Sequence, residues 1–181
     1  MNQIIVDDSQ TPRLVEVVTQ GPQGGILQAN YGSFMDTTIQ TPALANAAYP
    51  IGLNTSILAN NVSIVDGNKV TFAKTGIYSL TFSLQLTNDE NNVINTAKIW
   101  LKYNGTDYPF SATAIDIPAY RNSKPGETVC TVNFIGGAQQ EGDFVQLYWT
   151  ANSTLVHIST LVGNGIYPAA PGVILTLSQV A

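Results

Sequence analysis

Residues 76–86 alternate without a break, with Tyr78, Leu80, Phe82, Leu84 and Leu86 on one side and Ser79, Thr81, Ser83 and Gln85 on the other. A period of two sustained over that length specifies an antiparallel strand with one face in a core and one face in water. Shorter segments of the same kind cover 28–35, 49–53, 61–65, 69–73, 96–103, 108–117, 128–135, 143–151, 154–162 and 172–180, with Gly, Pro, Asn or Asp between them. No stretch carries a helical period. The pattern predicts about ten strands, enough for an antiparallel two-sheet jelly roll.

Two of the breaks predict specific hairpins. Asp66-Gly67-Asn68 supplies the positive φ values that a tight turn demands and joins 61–65 to 69–73. Asn104-Gly105-Thr106 does the same between 96–103 and 108–117, a pair that carries Ile99, Leu101, Tyr103 and Phe110. Residues 117–127, with Pro118, Arg121, Asn122, Ser123, Lys124, Pro125 and Gly126, read as an exposed loop.

The first 25 residues are of another kind. Ile4-Ile5-Val6 and Leu14-Val15-Glu16-Val17-Val18 are strand-capable, but turn and breaker residues separate and end them. Two isolated short strands close no core and are unstable in water. The expected organisation is therefore an extended arm over 1–25 and a jelly-roll domain over 26–181. Ile4, Ile5, Val6, Leu14, Val15, Val17 and Val18 are the arm's candidate attachment residues, which pair by strand addition with a neighbouring copy or another protein's sheet edge. The alternative is that residues 1–20 supply the domain's own first edge strands.

One strand breaks the one-face rule. In residues 143–149, Val145, Leu147 and Trp149 share one face while Phe144 and Tyr148 stand on the other. A strand apolar on both faces lies under a second layer or at an interface between copies. Phe144 and Tyr148 are accordingly the candidate interface residues, and a loop packed over the sheet is the alternative.

Composition narrows the function classes. Of the 181 residues 10% are charged and 44% apolar, which suits strands and turns better than solvated helices. The net charge is -5 and the seven basic residues are scattered, so no basic stripe exists for nucleic acid. No apolar run approaches the roughly 20 residues of a membrane-spanning helix. The N-terminus, with Asp7 and Asp8, does not read as a signal peptide. The single Cys130 sits in an alternating segment and reads as a buried thiol, and the single His157 as a packed or rim histidine. Asp7-Asp8 and Asp89-Glu90 are the adjacent acidic pairs, both in polar turns, so no acid/base pair, metal set or cofactor site is nominated. An enzyme is not expected.

Two segments then suggest a relationship. Gly76-Ile77-Tyr78-Ser79-Leu80-Thr81-Phe82 resembles the Gly-any-Tyr-any-Phe strand of the tumour necrosis factor and complement globular-head superfamily of trimeric jelly rolls. Gly142-Asp143-Phe144-Val145-Gln146-Leu147 resembles its Gly-Asp-any-Val-any-Leu strand, and residues 171–180 its closing strand. Over nearly the whole chain, an arm running from Val6-Asp7-Asp8 through Pro12-Arg13-Leu14-Val15-Glu16-Val17-Val18 to Gly21-Pro22-Gln23-Gly24, before a domain that ends in Val173-Ile174-Leu175-Thr176-Leu177-Ser178-Gln179-Val180, also resembles structural proteins of tailed bacteriophages, particularly phages of cyanobacteria. That resemblance implies a homotrimeric virion component on the outer capsid surface, made in the host cytoplasm: a capsid decoration or cement protein whose arm grips the major capsid protein or another virion protein. The alternative is a head-fibre or tail-fibre tip, with Tyr120 and Tyr167 as possible contacts to a host surface glycan.

Overall fold

A computed structural model describes residues 29–138 and 140–181, together with the backbone of 4–6 and 13–15. Val17, Val18 and the Gly-Pro-Gln-Gly turn of the arm lie outside the described residues. The described residues form strands and turns, and every strand pairing is antiparallel, as the alternation requires.

Two sheets make the body. The six-stranded sheet runs β12 (Gly126–Ala138), β8 (Gly76–Asn88), β15 (Val173–Gln179), β3 (Tyr31–Asp36), β5 (Thr55–Asn60), with β14 (Val156–Ile158) continuing beside β8. The seven-stranded sheet runs β10 (Thr106–Asp107), β9 (Asn95–Tyr103), β13 (Phe144–Ala151), β7 (Lys69–Phe72), β6 (Val62–Val65). In that sheet β11 (Thr113–Ile117) also pairs with β9 and β4 (Tyr49–Pro50) with β13. Apart from β6–β7, β9–β10–β11 and β14–β15, consecutive strands of the body cross from one sheet to the other, which makes a jelly roll.

β8 organises the first sheet. It pairs with β12 along its whole length, from Gly76 opposite Ala138 to Asn88 opposite Gly126, and with β15 on its other side. Tyr78, Leu80, Phe82, Leu84 and Leu86 all point inward and are buried, as the alternation predicts. They meet Val70, Ile99, Leu147 and Trp149 of the opposite sheet in one core. Cys130, on the inward side of β12, is buried there, and burial raises its thiol pKa.

Both glycine hairpins form. Asp66 and Gly67 take φ values of 52° and 69°, Asn104 and Gly105 values of 49° and 80°. The second hairpin is shorter than expected, because Pro109 has no N–H to extend the ladder and the Leu101 N–H bonds instead to Ser111 Oγ at 3.0 Å. The predicted strand over 108–117 therefore reduces to β11, while β10 lies just before it at Thr106–Asp107, and Phe110 lies in neither. The predicted strand over 154–162 shrinks to β14. β5 was not anticipated: a register shift opposite Ser33 and Phe34 breaks its alternation, and Ile57 and Leu58 are both exposed.

β1 (Ile4–Val6) and β2 (Arg13–Val15) pair with each other, Ile4 opposite Val15 and Val6 opposite Arg13, in a two-stranded sheet separate from both sheets of the body. Residues 1–20 thus supply no edge strand to the sandwich among the described residues.

The loop over 117–127 closes tightly on itself: a Cβ placed on Gly126 would stand 1.7 Å from the Pro118 carbonyl oxygen. Gly126→Ala should accordingly lower the unfolding free energy by about 2–4 kcal/mol, with an unchanged urea m-value, in equilibrium denaturation.

Candidate functional site

The two sheets present opposite outer faces, and formal charge is divided unequally between them. The strands of the seven-stranded sheet carry Lys69, Lys98, Lys102, Asp107 and Asp116. Those of the six-stranded sheet carry Asp36, which points inward and is buried, and Glu127 at one end of β12.

On the seven-stranded sheet, Phe144 and Tyr148 do face outward, each half-buried under a lysine. Lys69 Nζ lies 5.3 Å from the Phe144 ring centre and Lys102 Nζ 4.5 Å from that of Tyr148. Trp100 packs beside Tyr148 with ring centres 5.9 Å apart, and its indole N–H donates to Asp107 Oδ1 at 2.7 Å. Asp107 also pairs with Lys102 at 3.3 Å. The indole bond first, and Lys102 after it, hold the Asp107 carboxyl below the usual range. The lysine stems and cation–π contacts thus cover the second face of β13 within a single chain. The two rings are separate sites on this face, and neither is bare.

The outer face of the six-stranded sheet is different in kind. Ile77, Val129, Ile135, Ile174 and Leu58 stand exposed on it, Val129 at 60% and Ile135 at 67% of full exposure. Between them lie Ser79, Thr81, Ser83, Thr131, Asn133, Thr176 and Ser178, several already paired with one another. Asn133 Nδ2 donates to Thr81 Oγ1 at 2.7 Å and to Ser79 Oγ at 3.1 Å, and Thr131 Oγ1 donates to Ser83 Oγ at 3.2 Å. Polar groups that satisfy each other lose little when water is removed, so this face is cheap to bury. Sequence reasoning passed it over because Ser, Thr and Ile in alternation look like an ordinary solvent face. The missing signal was the lack of Lys, Arg and Asp on the polar side of 76–88, 126–138 and 173–179.

At one end of the sandwich a polar cluster locks the loops. Asn88, fully buried, donates to the carbonyls of Val93 at 2.8 Å and Pro118 at 2.9 Å, and accepts from Glu90 N–H at 2.9 Å and Asn95 Nδ2 at 3.0 Å. Glu90 in turn accepts from Ser153 Oγ at 2.6 Å and Asn95 Nδ2 at 2.9 Å. The Asp89-Glu90 pair is thus part of a structural cluster, with Asp89 Oδ2 3.8 Å from His157 Nδ1. Among the described residues no group of three or more His, Cys, Asp or Glu is placed to hold a metal ion.

Tyr120 is half-buried near this cluster, with its backbone bonded to Glu90 and Asn92. Tyr167 is exposed on the loop between β14 and β15, beside Val162 and Ile166. No ring contact joins the two tyrosines among the described residues. Of the arm residues, Ile4, Ile5, Val6, Leu14 and Val15 lie in the paired strands β1 and β2.

Comparison with known proteins bears on the fold. No protein-family model and no curated protein sequence matches the chain. Three crystal structures of murine APRIL, at pH 8.5, 5.0 and 8.0, match it with TM-scores of 0.52, 0.52 and 0.51 and identities of 12%, 13% and 12%. Each match covers 84% of this chain and 100% of the other. At that identity the likeness shows the fold alone, the antiparallel two-sheet jelly roll that the alternation predicts.

The bonds from Ser153 first, and Asn95 second, hold the Glu90 carboxyl below the usual glutamate range, with burial acting weakly against them. A folded-state pKa below the unfolded one gives stability that is complete above the unfolded value and lost as pH falls through the folded one. Glu90→Gln should therefore melt below wild type at neutral pH, and the gap should narrow as pH falls below about 4.3. Thermal melts between about pH 7 and pH 3 check this, and a gap constant with pH contradicts it.

Proposed function

We propose that this protein is a structural module without catalytic function: a self-associating jelly-roll head, trimeric as its resemblance implies, which its N-terminal hairpin fastens to a larger assembly. The setting that best fits the resemblance is the outer surface of a tailed-phage capsid, where the protein acts as a decoration or cement protein and the arm grips the capsid subunit below.

The observation that carries this reading is the outer face of the six-stranded sheet. It combines exposed Ile77, Val129, Ile135 and Ile174 with hydroxyls and amides that already bond one another, and it is almost free of charge. Exposed apolar area of this kind marks an interaction surface. The lysine-covered rings of Phe144 and Tyr148 are less favourable, since burying them means displacing or desolvating Lys69 and Lys102. The arm supports the second half of the reading. A two-stranded ribbon such as β1–β2 is marginal alone in water and gains most from adding to another sheet. Several arms on one head multiply the attachment.

The exposed loop carrying Val162, Ile166 and Tyr167 favours a second reading, a fibre tip that meets a host surface glycan. Binding of the free protein to a glycan array, lost in Tyr167→Ala, supports that reading, whereas binding to capsids with no glycan signal supports the first.

Two experiments test the proposal. Wild type should run at three times the 19.3 kDa chain mass in light scattering, and Thr176→Lys, a charge at the centre of the six-stranded face, should shift it toward one chain with an unchanged circular dichroism spectrum. A chain lacking residues 1–20 should keep the head's mass and melting temperature but lose attachment to capsids; a truncated chain that still attaches counts against the arm.

A further inference from the structure

Residues 108–111 form a turn that holds one aromatic ring away from the molecule. Ser111 is buried; its hydroxyl accepts the Leu101 N–H at 3.0 Å and donates to the Tyr108 carbonyl at 2.7 Å, while the Tyr108 N–H reaches the Leu101 carbonyl at 2.9 Å. These bonds fix both ends of the turn against β9, and Pro109 restricts the backbone between them. Phe110 is left with φ at 60°, a left-handed conformation that bulky side chains rarely adopt, and with 105% of full exposure. Strain maintained by the surrounding bonds, at a residue that packs on nothing in its own chain, points to an outside use.

A receiving site lies two residues away. Where β11 no longer covers β12, the sandwich is open, and Leu80, Leu101, Tyr103, Tyr108, Phe134 and Gly136 bound part of a cleft of about 60 Å³ that reaches the core. That is room for roughly four water-sized bodies. No Lys, Arg, Asp or Glu lines it, so water inside would lack partners and an apolar group suits it.

We propose that Phe110 of one copy enters this cleft on a second copy, and that the exchange is reciprocal. The convex ring and the concave cleft sit on the same edge of one chain, joined through Tyr108, so a single two-fold axis brings both ring–cleft pairs together in an isologous contact. Each ring buries about 150–250 Å². Two rings and the surfaces that receive them total at most roughly 600–1,000 Å², below the roughly 1,200 Å² where stable interfaces begin, so the contact is weak alone and strengthens where several act at once. It goes beyond association through the sheet face and uses a different part of the surface from Thr176.

The test uses the full chain with Phe110→Ser and, separately, Gly136→Leu. A Cβ at Gly136 meets no atom within 4 Å, so a leucine there has space and stands in the mouth of the cleft. Sedimentation equilibrium over a concentration series should show wild type doubling the mass of whatever unit exists at low concentration. Each variant should weaken that step at least tenfold with unchanged thermal melting, and mixing the two variants, one with an open cleft and one with a free ring, should restore it in part. A wild type without a doubling step, or a step that survives either variant, overturns the proposal. The step is read relative to the low-concentration unit, so its outcome is separate from that of Thr176→Lys.

Discussion

The two-residue period of β8 is the constraint on which the rest of the structure depends. Once Tyr78, Leu80, Phe82, Leu84 and Leu86 are committed to the core, the ladder with β12 sends Val129, Thr131, Asn133 and Ile135 outward, and the ladder with β15 sends Ile174, Thr176 and Ser178 outward. A slip of one residue would exchange the two sets and place hydroxyls in the core. The composition of the outer face is therefore fixed together with the core.

The two outer faces are finished in different ways. On the seven-stranded sheet, aromatic rings are covered by lysine stems, and Asp107 ties Trp100 to Lys102. That face is complete within one chain. On the six-stranded sheet the polar side chains bond sideways to one another and isoleucine and valine are left uncovered. Burial of such a surface gains the hydrophobic term, about 25 cal/mol per Å², with little polar desolvation set against it. This asymmetry is the physical basis for placing self-association on the six-stranded face.

Much of the fold was legible in the sequence because its determinants are local. Alternation in β8 and the Asp66-Gly67 and Asn104-Gly105 turns each act within a few residues, and each formed as expected. What failed depends on distant partners. β5 is hidden by a register shift against β3, and the strand through Phe110 is interrupted because Ser111 takes a backbone donor on β9. Phe144 and Tyr148 face outward as expected, but nothing local shows that Lys69 and Lys102 reach over them. Nothing local shows either that β1 and β2 pair with each other, a ribbon that leaves both outer edges open for the expected strand addition. Counting charges strand by strand, rather than over the whole chain, would have singled out the six-stranded face.

Hydroxyl-radical footprinting of the intact protein tests the central claim most directly, because it reads side-chain exposure in the assembled state. If the six-stranded face is buried between copies, Val129 and Ile174 should be strongly protected while Val162 and Ile166, also exposed in the single chain, label freely. Equal labelling of all four would contradict the account.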